Sequence, residues 1–207
     1  MADEEDLGDM PRVVGVLSAL LERVTERNDS AAELAVALAA APASAFRATT
    51  KPDISVRAYM SRIARFAGCS PSCYVVAYIY LDRFLRRRRA PSVDSYSVHR
   101  LLITAVLAAV KFMDDICYNN AYFAKVGGVS LPEMNYLEVD FLFAVGFDLN
   151  VSPETFGHYC AVLQSEMLCL ELERAPPAPA RLHCCLADQD DTAAATSSSC
   201  TQHQLAA

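Results

Sequence analysis

The stretch Leu101–Val110, LLITAVLAAV, constrains this chain more than any other segment. It is apolar around every side of a helix, so it has to be covered on all sides. Arg100 and Lys111 bracket it, and the run between them is well short of the roughly 20 residues needed to cross a bilayer. It is therefore expected to be the central helix of a water-soluble core. The chain has the material to cover it. Its 207 residues fit one domain of ordinary size plus tails, and 53% of them are apolar, although much of that is alanine in the flanks.

The segments around this run carry helical signals. Val13, Leu17, Leu20, Leu21 and Val24 recur on one helical face, and the spacing predicts an N-terminal helix ending near Asn28. Ala31–Ala40 reads as a second helical piece, stopped by Pro42, with a linker reaching Lys51-Pro52. Asp53 or Ser55 is expected to cap a helix running to about Phe66, closed by Gly68. Ser70-Pro71 places a cap before a proline at the first helical position. The helix it opens presents Cys73, Val76, Ala77, Tyr80, Leu81 and Phe84 on one face. Ser92 or Asp94 is expected to cap the central helix, which runs through Met113. Ser130-Leu131-Pro132-Glu133 is a capping-box sequence. Ser152-Pro153-Glu154 opens a last helix with Phe156, Tyr159, Cys160, Leu163 and Met167 inward. The pairs Val13-Val14 and Val75-Val76 are weak strand signals, outvoted by caps and periodicity. The expected fold is an all-α bundle with disordered ends: an acidic lead at Met1–Met10, and a tail from Ala175 that lacks the apolar content to fold.

Two charges break the apolar pattern. Met134, Leu137, Phe141, Leu142 and Val145 form a stripe at helical spacing, and Glu138 falls inside it. A carboxylate there is costly unless something pairs with it. Lys111 directly follows the most apolar run. Opposite charges embedded in apolar helices predict either a site built to meet a partner or a private internal salt bridge. No catalytic machinery flanks either one. Met113-Asp114-Asp115 offers paired carboxylates, read as a solvated turn; the helix dipole disfavours anions there, which leaves Asp114 or Asp115 open as a contact residue. Arg86–Arg89 is the strongest charge run. It suits a helix C-terminus, with nuclear import or an anionic partner as alternatives.

Several function classes are set aside. The net charge of −7 argues against a nucleic-acid surface as the main role. The acidic start MADEEDLGDM is expected to be neither a secretory signal nor a transit peptide. The eight cysteines contain no C-x-x-C pair and the four histidines are scattered, so no metal or cofactor is expected. Phosphate-binding loops and hydrolase or metalloprotease motifs are absent from the sequence.

At this point the residues resemble a known family. Tyr80-Leu81-Asp82-Arg83-Phe84-Leu85 looks like the second helix of a cyclin box. Ala108-Ala109-Val110-Lys111-Phe112 looks like the end of its third. Leu137-Glu138, followed by Phe147-Asp148-Leu149, looks like its fifth. Lys111-Phe112-Met113-Asp114-Asp115, then Tyr118-Asn119-Asn120-Ala121-Tyr122-Phe123, is similar to the plant P-type (U-type) cyclins, relatives of the fungal cyclins of phosphate signalling.

The resemblance implies a single five-helix cyclin box with flanking N- and C-terminal helices. The divisions would be 11–51 for an N-terminal helical extension and linker, 52–174 for the box with its C-terminal helix, and 175–207 for the disordered tail. It implies a regulatory subunit, not an enzyme, that binds and activates a cyclin-dependent kinase in cell division or nutrient signalling. The rival reading is a cyclin-box scaffold for a non-kinase partner. Lys111 and Glu138 would meet backbone groups around the kinase's regulatory helix, with Phe112, Leu142 and Phe147 in the apolar contact. Asp82 would be structural, with Arg57 as the nearest candidate for its usual arginine partner. A monomer before kinase binding, in nucleus and cytoplasm, with no nucleic-acid or membrane contact, completes the expectation. Many cell-cycle cyclins carry a Met-Arg-Ala-Ile-Leu helix start and a tryptophan that dock substrate peptides; here Asp53-Ile54-Ser55-Val56-Arg57 stands instead and tryptophan is absent.

Overall fold

The computed structural model describes residues 11–35, 44–87, 93–115 and 118–174. Seven helices follow one another: α1 (Arg12–Ala35), α2 (Val56–Ala67), α3 (Pro71–Arg87), α4 (Val98–Met113), α5 (Asn120–Gly127), α6 (Leu131–Ala144) and α7 (Pro153–Arg174). Among the described residues there is no strand; Val13-Val14 and Val75-Val76 lie inside α1 and α3.

α4 is the hub. It packs against α2, α3, α5 and α6, while α1 and α7 flank the bundle across α3. Every residue of Leu101–Val110 is 4% exposed or less, as an all-apolar helix requires. The single hydroxyl in that run, on Thr104, donates to the Arg100 carbonyl at 2.7 Å and so carries no unpaired group into the core. Phe84 on α3 stacks on Phe141 of α6 at 5.3 Å, and Phe46 meets both rings edge-on. Burying such a ring fully is worth about 1.5–3 kcal/mol, so these contacts join the bundle's layers.

Local chemistry starts and stops the helices much as the caps predict. Ser55, rather than Asp53, caps α2 by accepting the Ala58 N–H at 3.1 Å, and Gly68 ends it in the left-handed region. Val56, Tyr59, Met60, Ile63 and Ala67 form its buried stripe. Asn119 caps α5 by accepting the Tyr122 N–H at 3.0 Å.

The capping box at α6 is only half made. Ser130 accepts the Glu133 N–H at 3.3 Å. The Glu133 carboxylate, however, turns to Arg100 of α4 at 2.5 Å.

Two boundary expectations are corrected. The N-terminal helix does not end near Asn28; α1 continues through Asn28-Asp29-Ser30 to Ala35. Such polar residues break helices by bonding to their own backbone. Here Asn28 and Asp29 are occupied elsewhere, and Ser30 bonds back within the helix, to the Glu26 carbonyl at 2.9 Å. Asn28 donates to the Val93 carbonyl at 2.8 Å, and the Asp29 carboxylate takes the Ser95 N–H at 3.0 Å and its hydroxyl. The expected second piece, Ala31–Ala40, is thus the end of α1 as far as Ala35, and its remainder lies outside the described residues. α4 begins at Val98, later than a cap at Ser92 or Asp94 implies. Asp94 builds the preceding turn instead, accepting the Tyr96 N–H at 3.0 Å and pairing with Arg47; Ser92 lies outside the described residues.

Candidate functional site

The apolar run of α4 ends at Val110, and the next residue is the first to emerge from the core. Lys111 points its ammonium at Glu138 of α6, with Nζ to Oε1 at 2.6 Å. The lysine side chain is 36% exposed and the glutamate 15%. Glu138 stands within the stripe of Met134, Leu137, Phe141 and Val145, all buried. The two residues 27 apart in sequence are brought together because α4 and α6 pack side by side.

The carboxylate has a second partner that sequence reasoning missed. Asn120, the first residue of α5, donates through Nδ2 to Glu138 Oε2 at 2.7 Å and to Asn135 Oδ1 at 2.8 Å. Its own Oδ1 is buried with no hydrogen-bond partner among the described residues. The reverse orientation of the amide would set oxygen against two acceptors, which explains the choice. The only sequence signal was position: Asn120 follows the α5 cap in the Tyr118–Phe123 motif. Glu138 is thereby held by one cation and one amide, while the Lys111 ammonium has three donors and one acceptor among the described residues.

Around this pair, exposed apolar side chains continue along α4 and α6. Phe112 is 49% exposed, Leu142 is half-buried, and Phe147 beyond α6 is 57% exposed. Phe143, not singled out from sequence, is 68% exposed and meets Phe147 edge-on at 5.1 Å. Asp114 caps the end of α4 through its N–H to the Val110 carbonyl, and its carboxylate lies 3.5 Å from the Cys73 thiol. Asp115 is exposed. Among the described residues no three metal-ligating side chains gather, and no helix is long and apolar enough to cross a membrane.

The surroundings of Asp82 correct the expected arginine. Arg57 is not its partner: Arg57 bonds to Glu22 of α1, through its N–H at 3.0 Å and more weakly through Nε at 4.0 Å. Asp82 pairs with Arg86, one turn later on α3, at 2.8 Å and accepts the Tyr159 hydroxyl of α7. Partial burial, and then that carboxylate, pushes the Tyr159 hydroxyl up to about 12. Asp82 therefore joins α3 to α7. Arg86–Arg89 is likewise more than a favourable helix end. Arg87 donates to the Val145 carbonyl and pairs with Asp148 at 2.9 Å; Arg88 and Arg89 lie outside the described residues.

Five helices, α2 to α6, of which four pack around the buried α4, with a Lys–Glu pair where α4 meets α6, define the cyclin-box class. A model of the cyclin family matches residues 11–149. Cyclin-P4-1 of Oryza sativa subsp. japonica is 69% identical over 183 residues, covering 88% of this chain and 86% of that protein. Cyclin-U4-2 of Arabidopsis thaliana is 53% identical over 173 residues, covering 80% and 76%. Cyclin-U4-1 of the same plant is 51% identical over 171 residues, covering 83% and 84%. The chain belongs to the cyclin family, within its plant P/U-type group.

Proposed function

We propose that this cyclin binds a cyclin-dependent kinase as its regulatory subunit and activates it by position alone. The observation that carries the reading is the Lys111–Glu138 pair, set at the rim of the bundle with the lysine side partly open to solvent. A pair meant only for internal stability gains little from such a place, because water screens it and its desolvation is incomplete. A pair meant for a partner gains from it, since polar groups of an approaching backbone reach the ammonium and the carboxylate without disturbing the core. The exposed rings of Phe112 and Phe147, with Leu142 beside them on α6, supply the apolar part of such a contact.

The kinase's regulatory helix would rest on this surface and be held inward. Its glutamate would then complete the Lys–Glu ion pair that aligns the nucleotide phosphates. This is a population shift toward the active form, driven by differential binding. The cyclin donates no reacting group. The same reading has a monomer before kinase binding, acting in nucleus and cytoplasm without direct contact to nucleic acid or membrane.

The test is affinity purification of the full chain from plant cells, alongside Lys111→Ala and Glu138→Ala, with the co-purifying proteins identified. A cyclin-dependent kinase is expected with the wild type and lost with both variants. Co-purification of partners without any kinase would favour a scaffold role for the same box.

A further inference from the structure

Phe147 has a left-handed backbone at φ 57°, and it is the single non-glycine residue at positive φ among the described residues. The end of α6 does not require this. Gly146, at φ 63°, already supplies the left-handed residue, and two bonds complete the helix stop: Gly146 N–H to Phe143 O at 3.0 Å and Phe147 N–H to Leu142 O at 2.9 Å. A second left-handed residue carrying a Cβ is additional strain. Such strain persists only where the surroundings over-determine it.

The surroundings do so here from one face of α3. Tyr80, Arg83 and Arg87 lie one turn apart in succession. Tyr80 donates its hydroxyl to Leu149 O at 2.6 Å. Arg83 donates to Asp148 O at 2.6 Å and Asn150 O at 2.9 Å. Arg87 reaches both sides of the strained residues, bonding to Val145 O and to the Asp148 carboxylate at 2.9 Å. A Cβ on Gly146 would collide with the Arg87 guanidinium, so the glycine serves both the turn and the clamp. The product is an aromatic pair, Phe143 and Phe147, that packs edge-on and remains mostly in solvent. Strain, five hydrogen bonds to one short turn and two exposed rings converge on the same place.

We propose that Tyr80, Arg83 and Arg87 are positioning residues that preset Phe147, together with Phe143, as a rigid aromatic contact for the kinase partner. The proposal rests on the kinase reading and adds two things to it: Phe143 as a contact residue, and a role for the arginines at the end of α3. Presetting matters because affinity falls in proportion to the fraction of molecules holding the competent conformation.

The experiment uses the full chain, its co-purified kinase, and the variants Phe147→Asn, Phe143→Ala, Arg87→Ala and the double variant Arg87→Ala/Phe147→Asn. Affinity, thermal unfolding and amide exchange over 145–150 are measured on each. Asparagine tolerates the left-handed region, so Phe147→Asn is expected to melt at or above wild type while losing tenfold or more in affinity. Phe143→Ala loses several-fold. Arg87→Ala loses tenfold and speeds exchange in the turn, yet adds little to Phe147→Asn in the double variant. A structural Phe147 gives the reverse: a lower midpoint with unchanged affinity. That result, or strict additivity of Arg87→Ala and Phe147→Asn, overturns the proposal. If wild type binds no kinase, the kinase reading falls and the contact role with it. The hold of the clamp on the turn is then decided by the unfolding and exchange measurements alone.

Discussion

The two ends of α4 carry one cation each, and the fold uses them in opposite ways. Arg100 is enclosed by protein acceptors: it donates to Arg47 O at 2.9 Å and Ala45 O at 3.4 Å and pairs with Glu133 of α6 at 2.5 Å. Arg47 in turn pairs with Asp94 and lies over the Tyr96 ring at 4.6 Å, so this end of α4 secures the loops before it. Lys111 at the other end meets a single acceptor among the described residues, Glu138. Both pairs join α4 to α6. The two cations differ in how many bonds the fold itself makes to them.

The largest effect that separates them is on binding. Glu138→Ala is expected to weaken kinase affinity by about 2–5 kcal/mol, roughly 30-fold to several thousand-fold, with little change in the melting midpoint. Calorimetric titration with the purified kinase and a thermal scan of the free protein check both halves. A fall in midpoint without a fall in affinity would reverse the assignment of the two ends.

Arg100→Ala is the mirror experiment. It strips a charged donor from two carbonyls and a carboxylate, costing about 1–3 kcal/mol. For a chain of this size that lowers the midpoint by roughly 2–12 °C. Kinase affinity should remain at the wild-type value.

Asn120→Ala sharpens the comparison on the partner side. It frees Glu138 Oε2 but also removes the unpaired buried Oδ1, so the two changes oppose each other in stability. A loss of about fivefold to tenfold in affinity, near 1–1.4 kcal/mol, is expected. Asn120→Asp, which sets a second carboxylate beside Glu138, should lose more.

The smallest effect lies at the Arg100 end. His99 is buried, donating its Nε2–H to the Ile54 carbonyl at 2.9 Å, with Nδ1 unpartnered among the described residues. Burial lowers its pKa below the usual 6.5. Between that lowered value and 6.5 the unfolded chain holds the extra proton, so stability is complete above pH 6.5 and declines as pH falls beneath it. Urea unfolding at about pH 7.5 and about pH 5.5 should show the decline, and His99→Gln should remove its share. Kinase contacts at Lys111 should be untouched by this proton.

Much of this molecule is legible in the amino-acid sequence alone. Helix starts such as Ser55, Ser70-Pro71 and Ser130 are local events, since a cap satisfies backbone groups two or three residues away. The burial of Leu101–Val110 and the stripe on α6 follow from the helical period. The cost of Glu138 in that stripe announces a partner for the carboxylate, because an unpaired charge among apolar neighbours is unstable. Phe143 is not legible, since an exposed phenylalanine on a helix has no distinguishing pattern.

Only the tertiary structure could decide what each polar group meets. Asn28 and Asp29 look like a helix end and are not, because the loop at 93–95 takes up their side chains. Beside its local partner Arg86, Asp82 took the Tyr159 hydroxyl of α7 and not Arg57, and Asn120 found Glu138; neither of these distant pairings is encoded by a local rule. The left-handed Phe147 depends on side chains sixty and more residues earlier. Sequence determines where helices form and which face is apolar, because those energies are set within a turn or two. The pairing of charges, and the strain a residue is made to hold, belong to contacts that exist only once the helices have packed.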